Sequence, residues 1–187
     1  MTNLPRNAAT TWAPESRISL LLLAISGSVF LALCAKIQVP MWPVPMTMQS
    51  FGVMALGLGL GARMGVAAVG LYLMQGALGL PVFATGGGIA HFFGPTGGYL
   101  LGFLPMVWMI GMLADRGWSR SVLPALGATL AGGILLYLCG GVWLATLMGV
   151  EAALIHGVVP FLPGDLLKAI LAALAVPAFW KGSGGAR

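Results

Sequence analysis

The sequence predicts an all-α protein that crosses a membrane six times. Of its 187 residues, 59% are apolar and only 7% are charged, whereas about a quarter of the residues in a soluble domain carry a charge. A helix needs about 20 mostly apolar residues to span a bilayer. Six apolar runs reach or come near this length, at 18–35, 46–60, 64–80, 96–113, 122–148 and 160–180. We therefore expect a single transmembrane domain at 18–181, between a tail at 1–17 and a tail at 182–187.

The distribution of Lys and Arg predicts that both termini are cytoplasmic. Cytoplasmic loops carry an excess of these residues, and one set of loops and tails has nearly all of them, whereas the other set has only Lys36. The first set holds Arg6, Arg17, Arg63, Arg116, Arg120, Lys181 and Arg187. The net charge of +5 is explained by this orientation. The charges are scattered singly and form no basic stripe, so we expect no nucleic-acid partner.

Three segments broken by proline or glycine fall on the predicted outer side. The segments are 40–45, 81–95 and 160–164. Prolines disfavour helix at and before their own positions, and irregular backbone at membrane depth is tolerated where it is buried in protein or lines a cavity. The cytoplasmic connections are short. The outer end is therefore suited to taking up a small ligand.

Asp165 and Lys168 place two charges at the start of the sixth apolar run. Ionisable residues inside a membrane are costly and usually functional, and an i, i+3 spacing puts both on one helix face. One interpretation is that the pair faces a wet ligand pocket at the outer mouth. The alternative is that Asp165 is stabilised by the helix dipole and Lys168 is only its salt-bridge partner.

In the first span, the small residues Ala24, Ser28 and Ala32 recur every four positions. Such a stripe allows close helix contact, either with another subunit or within the bundle. Trp42 suits the membrane interface and equally suits stacking on a ligand.

The cysteines, the histidines and the glycine-rich run give no indication of a metal site or a cofactor. Cys34 and Cys139 lie in apolar runs without close spacing, as small buried hydrophobes do. His91 and His156 are single and far apart, as expected of interfacial polar residues. A nucleotide site is not expected, since the glycine-rich run before residue 97 lacks the Gly-Lys-Ser/Thr sequence of a phosphate-binding loop.

Four motifs occur in order along the chain. They are Ile37-Gln-Val-Pro with Pro43-Val-Pro-Met-Thr-Met-Gln49, Tyr72 with Gly79-Leu-Pro-Val-Phe83, Gly94-Pro-Thr-Gly-Gly-Tyr-Leu-Leu-Gly-Phe103, and Pro163-Gly-Asp-Leu-Leu-Lys168. Together they resemble the BioY family, the biotin-binding S components of energy-coupling-factor (ECF) transporters. The resemblance extends over 18–179. It implies a six-helix S-component bundle in the cell membrane, with an outward-facing biotin pocket closed by the loops after the first, third and fifth spans.

The resemblance also implies roles for individual residues. Asp165 would accept a hydrogen bond from a ureido N–H of biotin, and Lys168 would either keep Asp165 ionised or attract the carboxylate tail. Thr85 and Tyr99 would supply further polar contacts. Trp42 and Phe92 would pack on the ring system and the valeryl chain.

Ala24, Ser28 and Ala32 match the family's docking face for the ECF T subunit, with serine where the family has alanine. Because the sequence has no Walker motif, transport would be energised by separate ATPase subunits.

Three hypotheses for the function follow. In the first, the chain captures biotin outside and works with T and ATPase subunits. In the second, it transports biotin without them, as a homo-oligomer. The third, an intramembrane enzyme, is disfavoured, because general acid–base catalysis needs paired groups and Asp165 is the only one of four acidic residues within a span.

Overall fold

The structure is a computed structural model that describes residues 17–182, with side chains up to residue 178. The helices are α1 (Arg17–Lys36), α2 and α3 (the two arms of Gln49–Ala77), α4 (Gly97–Asp115), α5 (Val122–Met148), α6 (Val150–Ala153) and α7 (Leu162–Gly182). Most of the predicted tails, at 1–16 and 183–187, lie outside the described residues. The side chains of Arg6, Lys181 and Arg187 are also outside the described part of the chain.

The helical segment Gln49–Ala77 is a hairpin. It is broken at Gly61, whose φ of 76° and ψ of −178° are not helical. The side-chain amide of Gln49 is 2.6 Å from the hydroxyl of Tyr72, although a straight helix would separate these residues by about 34 Å. The arms 49–60 (α2) and 62–77 (α3) therefore run antiparallel, and the Asp115 carboxylate accepts a hydrogen bond from the Ala62 N–H at the turn.

The predicted six-helix bundle is confirmed. Four helical segments of the described chain are long and apolar enough to cross a membrane, counting the hairpin as one, and 150–158 with 162–178 makes a further span bent by 45°. Since the hairpin supplies two arms, the bundle has six helices, and the protein is a multi-pass membrane protein. Most of the stretch between the fifth and sixth predicted spans is helical, because α6 continues into a π-helical turn at Leu154–Val158.

The small-residue stripe of α1 faces the bundle, and its docking on a T subunit stays a prediction. Ala24 and Ser28 are buried, Ser28 completely, and Ala32 packs partly buried against the core. The Ser28 hydroxyl donates to the Ile25 carbonyl at 2.8 Å. The stripe therefore serves internal packing, the alternative left open by the sequence, because close approach to α2 and α3 requires small side chains there.

The three broken segments meet at one end of the bundle, as predicted. Residues 38–39 and 46–47 pair as short antiparallel strands, β1 and β2. The 81–95 segment contains a 3₁₀ turn at Ile89–Phe92, which the sequence did not predict.

Three successive carbonyls of the 81–95 segment are bound by side chains from elsewhere in the bundle. Tyr72 donates to the Val82 carbonyl, Lys36 to that of Phe83 and Gln38 to that of Ala84, at 3.2, 2.7 and 3.3 Å. One end of the loop is thus fixed to α1, β1 and α3.

Candidate ligand-binding site

A cavity lies where the three broken segments converge. Each segment or its flank contributes to the wall, with Pro45 from the first, Thr85 from the second and Phe161 from the third. The apolar part of the wall is formed by Val44, Phe83, Leu100, Phe103, Leu136 and Phe161. The polar part includes Thr47, Gln49, Ser50, Tyr99, Tyr137 and Asp165. A mainly apolar wall with a few convergent polar groups is typical of a small-molecule site.

Asp165 joins three helices at the wall of this cavity. Its Oδ1 accepts hydrogen bonds from the Lys168 ammonium at 2.7 Å and the Ser50 hydroxyl at 2.8 Å. Its Oδ2 accepts one from the Tyr137 hydroxyl at 2.7 Å. The donors come from α7, α2 and α5, so the carboxylate holds together the helices that surround the cavity.

The Asp165 carboxylate retains one acceptor position. A carboxylate has about four, and the described residues fill two on Oδ1 and one on Oδ2. The remaining position is on Oδ2, the oxygen that Tyr137 also binds. Because Asp165 lines the cavity, a ligand N–H can reach it there.

Lys168 lies behind Asp165 and outside the cavity wall. Its side chain is only 8% exposed, against 12% for Asp165, and its ammonium also donates to the Ser50 hydroxyl at 3.1 Å. It is absent from the residues that line the cavity. Its position suits neutralising and orienting Asp165, because a buried charge is tolerated when it is paired and hydrogen-bonded.

Gln49 presents an amide to the cavity from the start of α2. One N–H donates to the Tyr72 hydroxyl at 2.6 Å, and the amide oxygen accepts from the Thr47 hydroxyl at 2.9 Å. The Tyr72 hydroxyl in turn donates to the 81–95 segment. Since a Gln amide has two N–H donors, the second can meet a ligand carbonyl.

Two other residues predicted for the site, Thr85 and Tyr99, also line the cavity. The Thr85 hydroxyl is 3.2 Å from the Nε2 atom of His91, which lines the cavity too and was predicted only as an interfacial residue. The Tyr99 hydroxyl donates to the Gly157 carbonyl at 2.6 Å.

Trp42 and Phe92 do not line the cavity, so the expectation that both pack on a ligand gains no support from its wall and stays a prediction. Trp42 is 77% exposed, and its ring centroid lies 6.4 Å from that of His156. Phe92 packs edge-on against Phe83, so Phe83 stands in the wall in its place.

The sequence interpretation gave no role to Gln49, Ser50 or Tyr137. The available signal was their polarity within apolar helices, where polar side chains usually face the bundle interior. As for metals, residues 17–182 contain no group of three or more His, Cys, Asp or Glu placed to hold an ion.

Comparison with known proteins places the chain in a family. The sequence model described as the BioY family matches residues 7–184. A probable biotin transporter BioY of Pyrococcus horikoshii is 42% identical over 141 residues, covering 75% of this chain and 83% of the relative. The biotin transporter BioY of Rhizobium etli is 39% identical over 166 residues, covering 83% and 89%.

A solved structure has the same architecture. The crystal structure of the S-component for biotin from an ECF-type ABC transporter superposes with a TM-score of 0.77 at 30% identity, covering 88% of this chain and 92% of that one. The family match covers nearly the whole sequence, and the relatives and the solved structure are similar over most of their lengths. On these grounds, the chain belongs to the BioY family.

Proposed function

We propose that the protein binds biotin in this cavity and serves its uptake across the cell membrane. The observation that carries the proposal is the Asp165 carboxylate, which is held by three donors and keeps one acceptor position at the cavity. Similar proteins named biotin transporters support the same ligand. With transporters as its relatives, the protein is not an enzyme.

The ureido group of biotin matches the hydrogen-bonding groups of Asp165 and Gln49. Its ureido group has two N–H donors and one carbonyl, so one N–H can donate to Oδ2 of Asp165 while the carbonyl accepts from Gln49. A charge-assisted bond of this kind is stronger than a neutral one. The apolar fused rings then lie among Phe83, Phe103 and Phe161, and Thr85 and Tyr99 provide further polar contacts.

The test is equilibrium binding of radiolabelled biotin to the purified protein, with competing analogues. Biotin methylated on both ureido nitrogens should compete at least about 100-fold more weakly, because a site built to accept a hydrogen bond rejects a ligand that lacks the donor. Equal competition by this analogue would contradict the role of Asp165. Failure of biotin itself to bind would contradict the proposed function.

We further propose that separate T and ATPase subunits energise the uptake. The structural similarity to the S-component of an ECF-type transporter supports this arrangement over a chain that transports biotin alone. The two are separated by measuring biotin uptake in cells with and without coupling subunits. Uptake should require the coupling subunits, and full uptake in their absence would favour the solitary transporter.

A further inference from the structure

A second cleft adjoins the cavity, and Asp165 does not line it. It lies between the 36–45 and 81–95 segments and is lined by Gln38, Pro40, Met41, Pro43, Pro45, Thr85, Ala90, His91, Gly94, Pro95 and Thr96. Pro45, Thr85, His91 and Thr96 also line the cavity. These four residues, which we call the seam, form a wall common to both spaces.

The two spaces differ in their polar groups. Asp165, Ser50, Gln49 and Tyr137 line the cavity but not the cleft. At the seam, the Thr85 hydroxyl and the His91 imidazole lie 3.2 Å apart and offer both donor and acceptor atoms. A ligand whose ureido group is bound at Asp165 therefore has its other end directed towards the seam.

A further apolar groove meets the cavity at Tyr137 alone and is not the space that receives that end. The groove lies between α5 and the helical region 150–162, and it shares only Tyr137 with the cavity. Tyr137 is hydrogen-bonded to Asp165, so this groove borders the ureido end. A group joined to the carboxyl end of the ligand would enter the cleft instead.

We propose that the cleft is a second subsite, which accepts a group joined to the biotin carboxyl through an amide. The chain then binds small amide conjugates, such as biotin linked to the ε-amino group of lysine, as well as free biotin. Thr85 and His91 are placed to bond the amide, and the conjugated group lies between the two loops. This inference rests on the proposed function, since it requires the ureido group at Asp165.

The experiment compares displacement of radiolabelled biotin by unlabelled biotin and by the ε-lysyl amide. Ala90→Trp fills the cleft without touching the cavity, because Ala90 is exposed and lines only the cleft. Ile89→Trp is the matched control, since Ile89 is exposed in the same 3₁₀ turn and lines neither space.

We expect the amide to bind the wild-type protein within about tenfold of biotin, because its added group enters an existing space. Ala90→Trp should weaken the amide at least about tenfold more than it weakens biotin, since a crowded subsite is costly. Ile89→Trp should change neither the affinity for biotin nor the affinity for the amide.

Binding of biotin without displacement by the amide would overturn the inference and leave the proposed function standing. Equal weakening of both ligands by Ala90→Trp would also overturn it. Absence of biotin binding by the wild-type protein would instead remove the proposed function on which the inference rests. Displacement by the two ligands on the wild-type protein tests the inference even where a variant does not fold.

Discussion

Replacing Asp165 with Asn removes the negative partner of a lysine ammonium that is almost fully enclosed by protein. Lys168 keeps its charge, and the Ser50 hydroxyl is the other acceptor that the structure gives it. Breaking a buried ion pair in this way typically costs about 3–5 kcal/mol of folding free energy. In a protein of this size, 1 kcal/mol shifts the melting temperature by about 2–4 °C, so we expect a decrease of roughly 6–20 °C.

The geometry also predicts how the substituted amide in Asp165→Asn would be oriented. Its carbonyl would face Lys168 and Ser50, since both donate to the Oδ1 position. Its NH₂ would then occupy the Oδ2 position, next to the ligand. A donor would face the ureido N–H, and we expect biotin binding to weaken at least about 100-fold, because a hydrogen bond to a charged group contributes about 1.5–3 kcal/mol and the unpaired donors add to the loss.

A double variant separates stability from recognition. Asp165→Asn with Lys168→Met removes both charges, so the buried ammonium that makes the single variant unstable is no longer present. Thermal unfolding in detergent should show most of the stability restored, while radiolabelled biotin still fails to bind. Asp115→Asn is the matched control, because Asp115 binds the distant turn between α2 and α3 and should leave the affinity unchanged.

Two results would refute this reasoning. One is normal biotin affinity in the double variant, which would mean that Asp165 is not the acceptor. The other is wild-type stability of the single Asp165→Asn variant, which would mean that the pair contributes nothing to folding.

Three further predictions concern the framework. Ser28→Leu should destabilise the fold by about 1–3 kcal/mol, measured by thermal unfolding, since the site is completely buried. Gly61→Ala should cost about 1–3 kcal/mol by the same measurement, since the hairpin turn holds this residue at a φ of 76°. Tyr72→Phe should lower stability by about 1–3 kcal/mol and weaken biotin binding, since its hydroxyl joins Gln49 to the 81–95 segment.

Matched controls distinguish these effects from those of substitution in general. Ser26 is exposed on the same helix, so Ser26→Leu should leave the stability nearly unchanged. Gly59→Ala lies in helical backbone with open space around it and should cost nothing. A stable Ser28→Leu protein would mean that α1 can move outward, and equal costs at positions 59 and 61 would contradict the strain argument. For Tyr72→Phe, the opposing result is unchanged stability together with unchanged affinity.

The features that the sequence predicted correctly are those that can be read from the order of the residues along the chain. Prolines and glycines located the 40–45 and 81–95 segments, and the charge at Asp165 stood out because apolar neighbours surround it. The family resemblance, and not the composition, supplied the ligand. Convergence of the broken segments also followed, since each span reverses the direction of the chain and returns the segments to one end.

The sequence could not give the rotation of each helix about its own axis. A soluble helix marks its inward face with an apolar stripe, but membrane helices are apolar all round, because lipid and core are equally apolar. Tyr137 therefore carried no sign that it faces Asp165, and Ser28 carried none that it faces the bundle.

The sequence by itself determined the number of spans, the broken segments between them and the charge of Asp165 at the start of the sixth apolar run. Only the tertiary structure placed Lys168 behind the carboxylate, joined Ser50 and Tyr137 to it from other helices, and enclosed the stripe of α1. The physical reason is that the cost of a charge in lipid can be read at a single position, whereas the partners that offset that cost are selected by packing between helices distant in sequence.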